Sequence, residues 1–168
     1  MSTQLCLGEC FCFDTSALSH MWYREYRPDA FPTVWRVLAD AIDARVAIAP
    51  REVYLELERK CDPKLTKWIK AHKHMFVSDT PDLVSAVIRV EREYPNLVEH
   101  NKEPYDADPW VVALAELHAA SVITGEQACG NRVGGMLKPR MKIPDVCKAK
   151  GIPLATVPDF IVARKAAV

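Results

Sequence analysis

Short apolar segments without polar–apolar alternation constrain the fold of this chain most strongly. Segments 11–13, 46–49, 121–124 and 152–156 are each only a few residues long, and patterns typical of helices separate them. A strand that is apolar on both faces is buried on both faces, as in parallel strands joined by helical crossovers. The sequence therefore predicts an α/β fold, a three-layer α/β/α sandwich with a short central parallel sheet.

Helices are predicted where apolar residues recur at three- and four-residue spacing, as between Phe31 and Ile42. Asp108 and Pro109 are a strong start signal, with the aspartate as N-cap and the proline at the first helical position. Residues 14–16 are predicted to form a polar turn after the first strand. We interpret the whole chain, 1–168, as one domain with its core at about 10–164 and a helical insertion at about 60–99.

Composition excludes several classes of protein. The chain has 168 residues with 22 basic and 22 acidic side chains, so no partner is held by bulk charge alone. No apolar run approaches the ~18–20 residues that cross a bilayer, and residues 1–10 lack the pattern of a signal peptide. The six cysteines form no CxxC pair. We therefore expect a cytoplasmic protein with reduced thiols and no membrane association.

Acidic residues occur where the predicted strands end. Asp14 follows the first strand, Glu126 follows the third, Asp108 begins the helix before the third, and Glu56 lies on the helix after the second. Ligands of open parallel sheets bind outside the carboxyl ends of the strands. Four carboxylates at one edge repel one another unless a cation neutralises them, and hard divalent ions prefer oxygen ligands.

Each acid also has a purely structural interpretation. Asp108 can serve as an N-cap, Glu56 can pair with Lys60 one turn later, and Glu126 can be a solvated loop residue. Ser16 and Thr124, beside the predicted acids, are candidates either for supporting hydroxyls or for turn and cap residues.

Four motifs resemble, in chain order, those of the PIN-domain nucleases, specifically the VapC-like toxin ribonucleases. They are FDTSAL at 13–18, APREVYLEL at 49–57, DPWVVALA at 108–115 and VITGE at 122–126. The resemblance covers nearly the whole chain, with Glu126 standing where many members have aspartate. It implies the PIN fold and a metal-dependent endoribonuclease that hydrolyses RNA phosphodiester bonds.

The resemblance also implies roles and partners. Asp14, Asp108 and Glu126 would hold Mg²⁺ or Mn²⁺, and Glu56 would complete the ligand set or orient the attacking water. Asp106 and Glu52 are close in sequence to Asp108 and Glu56, and they stay open as alternatives for those positions. A cognate antitoxin protein and a homodimer are implied as partners.

Local charge indicates where RNA would bind. Residues 129–150 contain six basic side chains and one acid, and four of the six glycines fall within 125–135. We expect a mobile loop there that binds phosphate through Arg132, Lys138, Arg140 and Lys142. Residues 59–74 have the same balance, and they are either a solvated helix face or a surface for RNA or a partner. The alternative function is a catalytically weak module of the same fold that binds RNA or a protein.

Overall fold

A small parallel sheet lies at the centre of the molecule in this computed structural model. Its strands are β1 (Phe11–Phe13), β2 (Ala47–Pro50), β3 (Phe76–Val77) and β4 (Ser121–Ile123). They are ordered β3-β2-β1-β4, and each neighbouring pair is parallel. The predicted α/β class with a short parallel sheet is therefore confirmed.

The structure describes residues 9–98, 106–129 and 141–167. Eight α-helices lie within those residues, and they connect the strands or cover the sheet. The helices are α1 (Thr15–His20), α2 (Pro32–Asp43), α3 (Arg51–Lys60), α4 (Pro63–Ala71), α5 (Pro81–Glu93), α6 (Asp108–Leu117), α7 (Ile143–Lys150) and α8 (Val157–Ala166).

Side chains of β1 alternate between the two faces of the sheet. Phe11 and Phe13 pack edge-to-face on Phe160 of α8, with ring centroids 5.2 and 5.3 Å apart. Cys12 faces the other side, where its thiol lies 3.7 Å from the carbonyl oxygen of Val111 in α6. Helix α2 packs with α8, and α6 packs against three of the strands. Helices therefore cover both faces, which makes the fold a three-layer α/β/α sandwich.

The order of the strands reverses beside β1. The chain passes from β1 through β2 to β3 on one side and then crosses to β4 on the other. Phe13 is in register with Ile123, and the backbone N–H of Asp14 donates to the Ile123 carbonyl oxygen at 3.2 Å. Asp14 and Thr124 therefore leave the sheet side by side, at the kind of switch point where open parallel sheets bind ligands.

The strands at the two edges of the sheet differ from the prediction. Segment 152–156 forms only an isolated parallel bridge between Leu154 and Val122, because Thr156 already caps α8. The strand beside β2 is β3, which is too short for its two apolar residues to form a pattern. The segment at about 60–99 is therefore not only a helical insertion, since it also supplies an edge strand.

Two helix starts also differ from the prediction. Asp14, expected in a polar turn, is the N-cap of α1 and accepts the backbone N–H of Ala17. Asp108, expected as the N-cap of α6, is its first residue, and Ala107 occupies the N-cap position. The N–H of Asp108 donates to the Asp106 carboxylate at 3.2 Å, so Asp106 supplies the acceptor at this helix start.

Two expectations from the composition concern the state of the cysteines and the presence of membrane-spanning helices. The five cysteines within them are free thiols. None of the helices in these ranges is both long and apolar enough to cross a membrane.

Phe160 provides a test of the core on the α8 face. Replacing its fully buried ring with alanine (F160A) should lower the free energy of unfolding by about 3–5 kcal/mol, since it leaves a cavity over β1. The control V162A changes a residue of the same helix that is 67% exposed, and it should change stability by less than about 0.5 kcal/mol. Urea unfolding measures both, and equal effects would contradict this packing.

Candidate active site at the β1–β4 switch point

Asp14 is the most buried acid at the switch point, with an exposed fraction of 4%. Its Oδ1 accepts the backbone N–H of Ala17 at 2.6 Å. The Ser16 hydroxyl lies 2.9 Å from Oδ1 and 2.8 Å from Oδ2, and the Thr124 hydroxyl donates to Oδ2 at 2.6 Å. These contacts from both strand ends fix the orientation of the Asp14 carboxylate.

Ser16 and Thr124 link Asp14 to the segment that follows β4. The Ser16 hydroxyl oxygen accepts the N–H of Gly125 at 2.9 Å, and that of Thr124 accepts the N–H of Glu126 at 3.0 Å. Each hydroxyl therefore donates to the carboxylate and accepts from the backbone beyond β4. The structure places both predicted hydroxyls against Asp14.

The pKa of Asp14 is raised from its ordinary value of 3.8 to about 6. Burial is the main cause, and the hydrogen bonds from Thr124, Ala17 and Ser16 oppose it. The charge of Glu126 raises this pKa further, so these two acids interact. At pH 7 the Asp14 carboxyl is mostly ionised, and a negative charge is held in a largely desolvated position.

Glu56 joins the starts of two helices beside Asp14. It is 5% exposed, and its Oε2 accepts the hydroxyl of Thr15 at 2.6 Å. Its Oε1 accepts the backbone N–H of Ala107 at 3.3 Å. Thr15 follows Asp14 and Ala107 precedes the half-buried Asp108, so Glu56 holds the first turns of α1 and α6 at the same edge of the sheet.

Glu126 is half-buried and connects β4 to α7. Its Oε2 accepts the backbone N–H of Ile143 at 3.2 Å. Asp145, which the sequence analysis did not select, accepts the N–H groups of Cys129 and Lys142 at 3.1 and 2.9 Å. The two acids therefore tie residues 126–129 to the start of α7. An acid in the first turn after a proline was the available signal for Asp145.

The predicted phosphate contacts are only partly within the described residues. Lys142 is half-buried and directly precedes Ile143, whose N–H contacts Glu126. Arg132, Lys138 and Arg140 lie outside the described residues, as does most of the loop expected to be mobile.

A cavity of 280 Å³ opens next to this network, and His20 lines it together with Thr124 and Glu126. His20 lies against Gly125: a Cβ added to that glycine would lie 2.9 Å from Cε1 of the imidazole. Gly125 is therefore required for this close approach. No motif in the sequence marks His20, and its position six residues after Asp14 is the only signal for it.

The site has the donor chemistry for a hard divalent cation. The side chains around Asp14 offer carboxylate and hydroxyl oxygens, the ligands that Mg²⁺ and Mn²⁺ prefer. In the three ranges that the structure describes, no group of three or more His, Cys, Asp or Glu side chains is placed to hold a metal ion. Three donor hydrogens reach the Asp14 carboxylate, from Ala17, Ser16 and Thr124, and an ionised carboxylate has about four acceptor positions.

Comparison with known proteins gives the family of the chain. A family model described as "Domain of unknown function (DUF4411)" matches residues 11–168. The chain belongs to this family. No curated protein matches the sequence. Membership in DUF4411 assigns no activity, so a functional conclusion depends on the geometry of the site.

Glu52 of this DUF4411 chain lies outside the Asp14 network. It is 3% exposed, and its Oε2 has no hydrogen-bond partner among the described residues. Burial raises its pKa from 4.5 to about 7, and a hydrogen bond and the charge of Asp79 add to this. Of the two acids that the sequence left open on α3, Glu56 is the one in contact with residues beside Asp14 and Asp108.

Glu52 provides a pH-dependent test of this environment. The pKa of Glu52 is about 7 in the folded protein and 4.5 at its ordinary value. The protonated carboxyl therefore contributes stability that is fully present below pH 4.5. This stability is lost as the pH rises through 7. The neutral variant E52Q should therefore stabilise the protein relative to wild type by ~2 kcal/mol more at pH 8.5 than at pH 5.

Urea unfolding of wild type and E52Q at the two pH values measures this difference. The control E58Q makes the same change at a partly exposed acid of the same helix, so the comparison isolates the effect of burial at position 52. A pH-independent effect of E52Q would show that Glu52 ionises normally in the folded state.

Proposed function

We propose that this protein is a metal-dependent endoribonuclease that hydrolyses RNA phosphodiester bonds. The observation that carries the proposal is the buried Asp14 carboxylate at the β1–β4 switch point, which donors from both strand ends orient and whose pKa the charge of Glu126 raises. Glu56 and Asp108 lie at the same edge of the sheet. This arrangement supports the function implied by the resemblance to PIN-domain nucleases of the VapC-like toxin branch.

Asp14, Asp108 and Glu126 are the side chains that would hold the cation. Bound there, Mg²⁺ or Mn²⁺ would lower the pKa of an attacking water and offset the charge that develops on the phosphate. The raised pKa of Asp14 fits this role, because an ionised carboxylate in a desolvated position gains from a neighbouring cation.

The residues around these acids have distinct proposed roles. Ser16 and Thr124 orient the Asp14 carboxylate by donating to it, and they hold the backbone after β4 in place. Glu56 accepts two hydrogen bonds and positions the first turns of α1 and α6, so we assign it a positioning role first. Lys142, beside Ile143, is suited to contact a substrate phosphate.

The same resemblance extends the proposal to partners. We propose that the protein acts in the cytoplasm, as a homodimer, and as the toxin of a toxin–antitoxin pair. The cognate antitoxin would be a protein that blocks access to the switch point.

One observation favours a second candidate function. Within residues 9–98, 106–129 and 141–167, no three potential ligands are gathered for a metal ion. A catalytically weak module that binds RNA or a protein through this fold is therefore the alternative proposal.

The test compares RNA cleavage by wild type, D14N and E126Q with Mg²⁺ or Mn²⁺. Wild type should cut RNA, and excess EDTA should stop it. Both variants should fall to the background rate, because an amide is a poor ligand for a hard cation. D82N, which changes an exposed acid in the first turn of α5, is the matched control and should cut at the wild-type rate.

Melting temperatures accompany the assay, because Asp14 accepts several hydrogen bonds and D14N can disturb them. E126Q keeps the proposal testable, since Glu126 is only half-buried and its amide oxygen can still accept from Ile143. Full-rate cutting by both variants, or by wild type in EDTA, would reject a metal-dependent nuclease that uses Asp14 and Glu126. RNA binding without any cutting would support the binding module.

A further inference from the structure

A second cavity lies between α3 and the edge strand β3, and it has no place in the site described above. Its volume is 340 Å³. Its lining combines basic, aromatic, aliphatic and hydroxyl side chains. These are Arg51, Tyr54, Leu55, Lys73, Phe76 and Ser78.

Two basic side chains line this cavity, and none of the lining residues that the structure describes is acidic. Arg51 and Lys73 are both exposed. Arg51 lies 3.4 Å from the Asp79 carboxylate, a long contact between partly exposed groups that leaves most of its donors available. The ammonium of the exposed Lys73 lies 5.5 Å from the centroid of the Tyr54 ring. The cavity is therefore suited to an anion.

The floor of the same cavity is apolar and aromatic. The rings of Tyr54 and Phe76 pack with centroids 5.3 Å apart and planes at 66°. Tyr54 is buried, whereas Phe76 and Leu55 are half-buried and keep apolar surface in the cavity. Cations beside a partly exposed aromatic ring are the combination that proteins use to bind single-stranded nucleic acid, through phosphate contacts and base stacking.

The cavity lies on the same sheet as Asp14. Arg51 follows the last residue of β2, and Ser78 follows β3. Strands in a sheet are ~4.8 Å apart, so β3 lies roughly 10 Å from β1. A strand of RNA crossing the carboxyl edge would therefore reach both places. The basic segment 59–74 supplies further cations beyond the cavity.

We propose that this cavity binds one nucleotide of single-stranded RNA away from the cleaved bond. Arg51 and Lys73 contact its phosphate, and its base or sugar lies against Phe76 and Leu55. The identity of RNA as the ligand rests on the proposed function, whereas the preference for a phosphate on an apolar floor rests on the cavity alone.

The test measures binding of a fluorescent single-stranded RNA by anisotropy, in EDTA and over a series of salt concentrations. The variant R51Q/K73Q should bind more weakly, and the slope of log affinity against log salt should flatten by about 1.4, since each lost contact to a single strand contributes ~0.7. The control R36Q/K165Q removes the same charges from exposed positions on α2 and α8, and it should retain the wild-type slope.

The outcomes separate this site from the proposed function. The proposed nucleotide site would be rejected if R51Q/K73Q kept the wild-type RNA affinity and salt slope. It would also be rejected if both double variants lost equal RNA affinity. Either result would reject the site even if the protein cuts RNA. A selective loss would support the site even if wild type never cuts RNA. The single variants R51Q and K73Q, each with about half the change in slope, guard against a folding defect in the double variant.

Discussion

The pair of hydroxyls that joins β1 to β4 at Asp14 is the interaction on which the site depends. Ser16 and Thr124 donate to the carboxylate and accept from the backbone of residues 125–126. The first turn of α1, the segment after β4 and the acid between them are therefore held as one unit. This unit lies where the strand order reverses, so the topology and the polar network lead to the same position.

Two carboxyls on this edge of the sheet have raised pKa values, and their surroundings differ. Asp14 is buried, yet hydrogen-bond donors lower its pKa and keep it mostly ionised at neutral pH. Glu52 is also buried, its Oε2 has no hydrogen-bond partner among the described residues, and burial raises its pKa to about 7. Donors from α1 and the end of β4 surround Asp14, whereas Glu52 contacts Asp79 outside that network. These contacts support Asp14 rather than Glu52 as part of an ionic site.

The sequence predicted the main features of the fold because strands that are buried on both faces are apolar at every position. Uninterrupted apolar segments identified β1, β2 and β4, apolar spacing located α2, and Asp108 with Pro109 located α6. It failed at β3, where two residues give no period, and at 152–156, where apolar content was mistaken for a strand. Both errors concern the sheet edges, where pairing depends on tertiary contacts.

For the site, spacing identified the acids, but it could not give their contacts. It did not show that Glu56 accepts from Thr15 and Ala107, or that His20 lies against Gly125. The choice between Glu52 and Glu56 needed the direction in which each side chain leaves α3. The cavity at Arg51 and Lys73 joins residues from separate elements, and no local pattern contains it.

The most direct test is the location of Mn²⁺ in a crystal of the full chain, found from its anomalous scattering. We expect an ion at the β1–β4 switch point, bound to a carboxylate oxygen of Asp14, with Glu126 or Asp108 as a further ligand. An ion bound only elsewhere, or none at Asp14 under conditions that support RNA cleavage, would contradict it.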